Sequence, residues 1–267
     1  MYPTHHRQIT RTALIYWQRE SGVALPDGLC HAIVRGSGIE DAPSWQRLYH
    51  WHFYRSNPQI PDWPLLRLTS EYRVRAVPPP LSHTQPHVER GEWIGRLLHH
   101  LQDMSTPAHV VPIYHDPLFA DGYEKRLPHL LPPDWASPQP EVNLDATAVI
   151  AETGELGLYH YAAQQTLAWL DSHDSTLAAT LDDQPYALTS TQFWQPPSIH
   201  DSIFRCGFGR RGPLYRAFGL PMIPLAGKLL RVSDAEYRRF FFFLFRKSLR
   251  ASLTLLRWTL DALREAD

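Results

Sequence analysis

Residues 98–109 form the stretch of this chain whose side chains best suit a metal ion. Apolar residues precede it at helical spacing, so His99 and Asp103, at positions i and i+4, project from the same face of a helix. A hydroxyl residue followed by Pro107 predicts that this helix ends and another begins, which places His109 in the first turn of the second helix. Imidazole and carboxylate groups that meet across such a break suit Zn²⁺, which binds nitrogen and oxygen ligands tetrahedrally. A histidine–aspartate pair at this spacing also occurs as a surface hydrogen bond, so the trio alone leaves both interpretations open.

The composition is that of a globular protein with an excess of histidine. The chain has 267 residues, of which 43% are hydrophobic, enough for one large domain with a substantial core. The net charge of −1 gives no general attraction to nucleic acid or to an anionic membrane. The two cysteines form no zinc-finger spacing and are too few for a disulfide scaffold. The 15 histidines therefore stand out, and they direct attention to metal binding.

The beginning of the sequence and its most apolar run bear on localisation. Residues 1–6 contain no apolar core of a signal peptide, so the chain as written is expected in the cytoplasm, with export by a signal-independent route left open. Residues 240–245 are apolar but too few to span a bilayer, and basic residues flank them. They are predicted to lie in a core helix, and a peripheral membrane-contact surface is the alternative.

Helical periodicity predicts further helices in four segments. Apolar residues recur at helical spacing in residues 4–20, 26–34, 143–171 and 233–264. The glycines at residues 36–38 are predicted to end the second helix, and a capping box at residues 233–236 begins the last one. His160 lies inside the third segment, where a hydrogen-bonded helix histidine is favoured over a ligand.

Three long segments, near residues 57–90, 127–141 and 195–230, are predicted as proline-rich or irregular insertion loops. The first is interpreted either as a surface cover or as a rim over the site. In the third, residues 205–212 are rich in glycine and arginine; they would hold a phosphate or form a flexible basic turn, and they lack the spacing of a nucleotide-binding loop. No segment alternates convincingly as a strand would. The prediction is therefore a single all-α domain over residues 1–267, a multi-helix bundle with long loops.

Other metal-competent residues lie at the edges of predicted helices or turns, namely His6, Asp41, His52 and Glu124. With the central trio they form an ordered series that resembles the zinc-dependent phospholipase C family, whose fold is similar to that of the S1/P1 nucleases. The family signature is His-Tyr-x-Gly/Thr-Asp-x-x-x-Pro-x-His, and residues 99–109 keep its metal-binding positions and its proline. His100 and Gln102 depart from it. The resemblance covers residues 6–124 and implies the all-α fold of that family.

The resemblance implies a site for Zn²⁺, with two to three ions. The ligands of the first zinc would be Asp41, His52, His99 and Asp103. Asp103 would bridge to a second zinc shared with His6 and the N-terminus, and His109 and Glu124 would bind the third. Clustered divalent ions of this kind hold phosphoryl oxygens and activate a bridging water as the nucleophile. Asp41 would touch metal and also orient or deprotonate that water, which makes it the predicted catalytic residue.

Three departures from the family pattern limit what the resemblance implies. The family uses a mature N-terminal tryptophan as a zinc ligand, whereas this chain begins with methionine and tyrosine. The family places a histidine four residues before its last glutamate, where this chain has Ala120, so His115 is the predicted substitute ligand. Phosphatidylcholine-cleaving members have an aromatic residue after the carboxylate that Asp41 matches, and Ala42 there weakens any expectation of a choline head group.

The leading functional prediction is a zinc-dependent phosphodiesterase that hydrolyses phospholipids as a phospholipase C does. A nuclease acting on single-stranded nucleic acid is the nearest alternative, and it would need an aromatic stacking pocket. Residues that permit such a pocket are Trp45, Trp51, Trp63 and Tyr72. Outside enzymes, the alternative is a metal-stabilised helical binding module without activity. The sequence leaves the oligomeric state undetermined.

Overall fold

Helices form most of the backbone in the computed structural model, which describes residues 3–39, 50–51, 54, 67–68, 87–113, 121–130, 146–196 and 209–264. The helices in these ranges are α1 (Pro3–Ser21), α2 (Asp27–Ile39), α3 (His87–Asp103), α4 (Pro107–Val110), α5 (Gly122–Leu130), α6 (Ala146–Leu170) and α7 (Asp234–Arg264). The predicted helices at residues 4–20, 143–171 and 233–264 are confirmed as α1, α6 and α7, with small shifts at their ends.

The helix α7 begins with the hydroxyl cap that its sequence predicts. The backbone N–H of Glu236 donates to Ser233 Oγ at 3.3 Å, which satisfies one of the free N–H groups of the first turn. The Glu236 carboxylate turns instead to a neighbouring segment and accepts a hydrogen bond from the backbone N–H of Ala178 at 3.0 Å. Further along α7, Phe240 and Phe241 are fully buried, so the core-helix prediction for residues 240–245 is confirmed.

The helices α2 and α3 approach each other so closely that glycine is required on both. A Cβ atom added at Gly95 would overlap the carbonyl oxygen of Ile33, and one added at Gly36 would overlap that of Glu92. Only glycine allows two backbones to come this near. The prediction that residues 36–38 end α2 is therefore wrong, because the helix continues to Ile39 and its glycines serve the contact with α3.

The chain also contains β-structure, so the prediction of an all-α domain is wrong and the described fold is mixed α/β. One antiparallel sheet has the strand order β4-β3-β8-β7, formed by β3 (Leu177–Leu181), β4 (Gln184–Leu188), β7 (Met222–Leu225) and β8 (Lys228–Val232). A short antiparallel pair joins β5 (Trp194–Gln195) to β6 (Arg210–Arg211), and a parallel pair joins β1 (His50–Trp51) to β2 (Arg67–Leu68). The antiparallel strands lie beyond residues 6–124, the part of the chain that carries the family resemblance.

These strands give a weak sequence signal because each is short. Buried and exposed residues alternate along β3 over only five positions, too few to stand out from a loop. Both hairpins of the larger sheet turn through two residues with positive φ, Asp182 (50°) and Asp183 (62°) in one, and Ala226 (48°) and Gly227 (80°) in the other. Such turns match the twist of antiparallel strands. An Asp-Asp or Ala-Gly pair between short apolar runs is the local sequence signal of these hairpins, and it is a weak one.

The predicted loops are only partly described. The prediction of a loop near residues 195–230 is wrong where the strands β5 to β8 lie. The loop predicted near 127–141 can begin only after Leu130, where α5 ends, and the loop predicted near 57–90 must end before His87, where α3 begins. Residues 57–66, 69–86 and 131–141 lie outside the described ranges. That residues 1–267 form one domain stays a prediction. Among the helices described, none combines the length and the apolar character needed to cross a membrane.

Candidate metal centre

Two helices bring two histidines and an aspartate into one buried cluster. His6 lies near the start of α1, and His99 and Asp103 lie one turn apart at the end of α3; each of the three is 0% exposed. The helices α1 and α3 pack on each other, and both pack against α7. The rings of His6 and His99 are 3.9 Å apart between centroids. The predicted i, i+4 pair on α3 is therefore a buried pair joined by a third residue from α1.

The distances in this cluster fit a shared cation better than they fit direct hydrogen bonds. His6 Nε2 lies 3.4 Å from one Asp103 carboxylate oxygen, and His99 Nε2 lies 3.3 Å from the other. A charge-assisted hydrogen bond would be shorter, about 2.7–2.9 Å. Ligand atoms bound at about 2.0–2.1 Å to a tetrahedral zinc lie about 3.3–3.4 Å from one another, which matches the observed spacing. One ligand atom from each of the three residues lies within 4.8 Å of the others.

The outer nitrogens of both histidines are held by hydrogen bonds. His99 Nδ1 lies 2.9 Å from the backbone oxygen of Ser37, in the last described turn of α2. A carbonyl oxygen can only accept, so His99 Nδ1 carries a proton, and Nε2 is the ring nitrogen that faces Asp103. His6 Nδ1 is held in the same manner by the Gln102 side chain, at 2.8 Å. A nitrogen lone pair facing a buried carboxylate needs a proton or a metal ion between them, so the donor set fits zinc.

A second pair of ligand candidates adjoins the first. His109 Nδ1 lies 3.5 Å from Asp103, and its Nε2 lies 3.5 Å from a Glu124 carboxylate oxygen. Both His109 and Glu124 are 7% exposed. The imidazole ring of His109 therefore stands between the two carboxylates, with one nitrogen toward each. This arrangement brings together five of the residues predicted from the sequence, His6, His99, Asp103, His109 and Glu124.

The break between α3 and α4 places His109 as its sequence predicts. Thr106 occupies the N-cap position with an extended backbone, and Pro107 is the first residue of α4. The backbone N–H of Thr106 donates to the carbonyl oxygen of Asp103 at 2.9 Å, which closes the turn directly after the ligand. Because the chain reverses within these few residues, a ligand on α4 reaches the carboxylate at the end of α3. The predicted helix stop and restart is confirmed.

A polar group from α6 supports the His109 side of the centre. The backbone N–H of Tyr54 donates to the carbonyl oxygen of His109 at 2.9 Å. The Tyr54 hydroxyl accepts a hydrogen bond from Gln164 Nε2 at 2.8 Å and lies 3.4 Å from His160 Nδ1. His160 is thus a hydrogen-bonded helix histidine, as predicted. These contacts tie α6 to the turn that carries His109.

An aromatic cluster packs behind α5 on the Glu124 side. The carboxylate of Asp121 accepts hydrogen bonds from the Tyr123 backbone N–H and from Trp194 Nε1, both at 2.9 Å. Burial, reinforced by the nearby Asp121 and Glu124 carboxylates, raises the pKa of Tyr123 and of Tyr215, so both phenols stay neutral. The Arg211 guanidinium carbon lies 5.6 Å from the centre of the Tyr215 ring. Arg211 belongs to the strand β6, which lies in the described part of residues 205–212. Phosphate binding by that segment stays a prediction.

Several predicted site residues lie outside the described ranges, namely Asp41, His52 and His115. The same holds for the tryptophans and tyrosine considered as a stacking pocket, except for the backbone of Trp51 in β1. Sequence reasoning missed the partners of the outer histidine nitrogens, Ser37 and Gln102. Ser37 gave no signal, because its main chain makes the contact. Gln102 gave one, since it departs from the family signature beside a ligand.

Comparison of this chain with protein-family models, with curated proteins and with solved structures finds no match. The candidate metal centre therefore rests on its own geometry and on the resemblance carried by residues 99–109.

Proposed function

We propose that this protein is a zinc-dependent hydrolase that cleaves phosphodiester bonds. One observation carries the proposal: the inward nitrogens of two fully buried histidines each face one oxygen of the same buried carboxylate at 3.3–3.4 Å, a distance that neighbouring zinc ligands keep. A cluster that is structural only would bring nitrogen and oxygen to hydrogen-bonding distance. Asp103 would bridge the ion bound by His99 and the ion bound by His6, and His109 with Glu124 would extend the site to a third.

The chemistry follows from what a divalent ion supplies to such a site. Bound zinc lowers the pKa of a water molecule toward neutrality and offsets the charge of phosphoryl oxygens, so no covalent intermediate on the protein is needed. The imidazoles hold the site in place through their outer nitrogens, and burial excludes bulk water from it. Asp41 remains the predicted base that orients or deprotonates the attacking water.

The choice of a phospholipid as substrate rests on the family resemblance. Residues 99–109 resemble the signature of the zinc-dependent phospholipase C family, and five of the residues matched to its ligands lie together. Single-stranded nucleic acid contains the same diester linkage, so the metal chemistry alone does not choose between the two substrates. The substrate comparison below makes that choice.

A zinc titration tests the metal centre. Protein freed of metal by chelator and then titrated with Zn²⁺ in a calorimeter should bind about two to three ions per chain. The variant His99→Gln should lose affinity for at least one ion. The matched control is His173→Gln, which removes an exposed histidine outside the proposed ligand set and should bind zinc as the unaltered protein does. Binding of less than about one zinc per chain would refute the centre.

A substrate comparison tests the reaction. The zinc-loaded protein should hydrolyse a chromogenic phosphodiester and release phosphorylated head groups from phospholipid vesicles. Cleavage of single-stranded DNA in place of vesicles would make the protein a nuclease and overturn the lipid assignment. Full zinc loading with no hydrolysis of any of the three substrates would reduce the protein to a metal-stabilised binding module.

A further inference from the structure

Gln102 is a fully buried amide that lies between three helices beside the candidate metal centre. It precedes Asp103 on α3, and its side chain reaches both α1 and α7. Its oxygen Oε1 lies 2.8 Å from His6 Nδ1. Its nitrogen Nε2 lies 3.0 Å from Thr10 Oγ1 and 3.2 Å from Ser252 Oγ. Each polar atom of the amide therefore has a partner at hydrogen-bonding distance.

The number of hydrogens on each side of the amide favours one orientation, because half a turn would leave one Nε2 hydrogen without an acceptor beside the single nitrogen of His6. The Nε2 atom carries two hydrogens and faces two hydroxyl oxygens, which can each accept one. The Oε1 atom carries none and faces a single ring nitrogen, which must then donate. Rotating the amide by half a turn would point two hydrogens at the one nitrogen of His6. The arrangement shown uses every donor of Gln102.

We propose that Gln102 is a positioning residue that holds His6 as the tautomer protonated on Nδ1, with Nε2 directed at Asp103 as the metal-binding atom. This inference rests on the proposed metal centre. Once Nδ1–H donates to Gln102, the lone pair of Nε2 points toward Asp103, 3.4 Å away. The same ring is also fixed in its rotation, because a hydrogen bond on one nitrogen orients the other.

The two histidines of the cluster are held in complementary ways. His99 donates to a main-chain carbonyl, that of Ser37, which no substitution removes. His6 donates to a side chain, so its support can be deleted by a single substitution. Gln102 also sits on α3, the helix that carries His99 and Asp103. The ligand from α1 is thus set in register with the ligands from α3 by a residue of α3 itself.

The tautomer can be read directly by NMR in the metal-free protein. With ¹⁵N-labelled histidine at about pH 8, where an ordinary imidazole is neutral, long-range ¹H–¹⁵N spectra distinguish the two tautomers. The His6 signals are identified by their loss in His6→Gln. The unaltered protein should show His6 protonated on Nδ1. An Nδ1 atom without a proton would overturn the proposal, whatever the state of Nε2, and this measurement depends on no variant of Gln102.

Substitutions then test whether this support matters for zinc. Gln102→Leu removes the acceptor, so His6 should become a mixture of tautomers and Zn²⁺ affinity should fall about 10- to 100-fold, as for other residues that orient metal ligands. Gln102→Glu keeps an acceptor for Nδ1–H and should restore the tautomer and most of the affinity. Thr254→Ala is the matched control, since it removes another buried hydroxyl of α7, one that donates to the Arg250 carbonyl oxygen within that helix, and it should keep the parental affinity.

The outcomes separate this inference from the metal centre on which it rests. If the unaltered protein binds no zinc, the centre itself is refuted. If it binds zinc and Gln102→Leu binds equally well with an unchanged tautomer, only the positioning role is refuted. Should Gln102→Leu not fold, Gln102→Glu decides. Loss of the Nδ1 proton of His6 in that variant, or a zinc affinity about a hundredfold below that of the unaltered protein, overturns the role.

Discussion

Two fully buried aspartates, Asp103 and Asp121, have surroundings that differ in kind. Asp121 accepts from a backbone N–H and from the Trp194 indole N–H, both at 2.9 Å. Asp103 faces imidazole nitrogens of three histidines at 3.3–3.5 Å. The first carboxylate has donors that always carry their protons. The second is surrounded by groups that either carry a proton or bind a metal.

The difference shows that burial of a carboxylate does not by itself indicate function. Asp121 lies in the aromatic cluster with Tyr123 and Trp194, whose rings pack edge to face at 6.4 Å between centroids. It needs no ion, because neutral donors already stabilise its charge. At His6 and His99 the outer nitrogens are engaged with Gln102 and Ser37, so each inner nitrogen needs a proton or a metal ion between it and the Asp103 carboxylate. Donor type and distance therefore distinguish a structural carboxylate from a candidate ligand.

The largest effect is expected from Asp103→Asn. The amide keeps the shape of the side chain but removes a unit charge, and at a few ångströms such a charge is worth about 4 kcal/mol at the effective dielectric of a protein. Zinc affinity and phosphodiester hydrolysis should therefore fall about a thousandfold. Calorimetry with Zn²⁺ and turnover at saturating zinc measure both. Zinc binding equal to that of the unaltered protein would place Asp103 outside the metal shell.

The reciprocal change, Asp121→Asn, should affect stability and leave zinc alone. An asparagine can accept only on one side, so its amide hydrogens would face either the Trp194 indole or the Tyr123 backbone N–H. Loss of one hydrogen bond to a buried charge should lower the free energy of unfolding by about 2–3 kcal/mol. Urea unfolding of the metal-free protein measures this. The comparison breaks down if zinc affinity falls as far as it does in Asp103→Asn.

A smaller effect is expected at the contact between α2 and α3, which brings the Ser37 carbonyl to His99. Gly95→Ala places a methyl group against the Ile33 carbonyl, so the helices must separate, at a cost of about 2 kcal/mol in stability. Zinc affinity should fall with it, because His99 loses its outer partner. Gly28→Ala is the matched control: no atom lies within 4 Å of its added Cβ. Equal stability of the two variants would show that α2 and α3 do not need this close approach.

The smallest effect is expected at Glu236, a partly exposed carboxylate in the first turn of α7. Partial burial opposes its charge, but hydrogen bonds from Arg239 and from the Ala178 N–H outweigh burial and lower the pKa of Glu236. A carboxylate with a lowered pKa stabilises the fold above its unfolded pKa, about 4.3, and this contribution is lost as the pH falls through the folded value. Glu236→Gln should therefore cost about 0.5 kcal/mol at neutral pH, typical of an exposed pair. The cost should vanish in acid; a constant difference across pH would show that the charge is irrelevant.

The sequence by itself determined the elements whose signal is local. The periodicity of α1, α6 and α7 extends over many turns, and the hydroxyl–proline stop before α4 is complete within a few residues. The i, i+4 spacing of His99 and Asp103 is set by helix geometry alone, so their proximity follows once the helix is predicted. Ligand types are likewise a matter of side-chain chemistry, which folding does not alter.

Only the tertiary structure decided how these pieces meet. The strands β3 to β8 are too short to reveal themselves without their partners, and their pairing overturned the all-α prediction. The glycines at residues 36–38 look like a helix end in isolation, but the approach of α3 makes them part of a continuous helix. The contact between His6 and Gln102 joins residues 96 positions apart. Contacts across such separations depend on how whole helices pack, which no local pattern encodes.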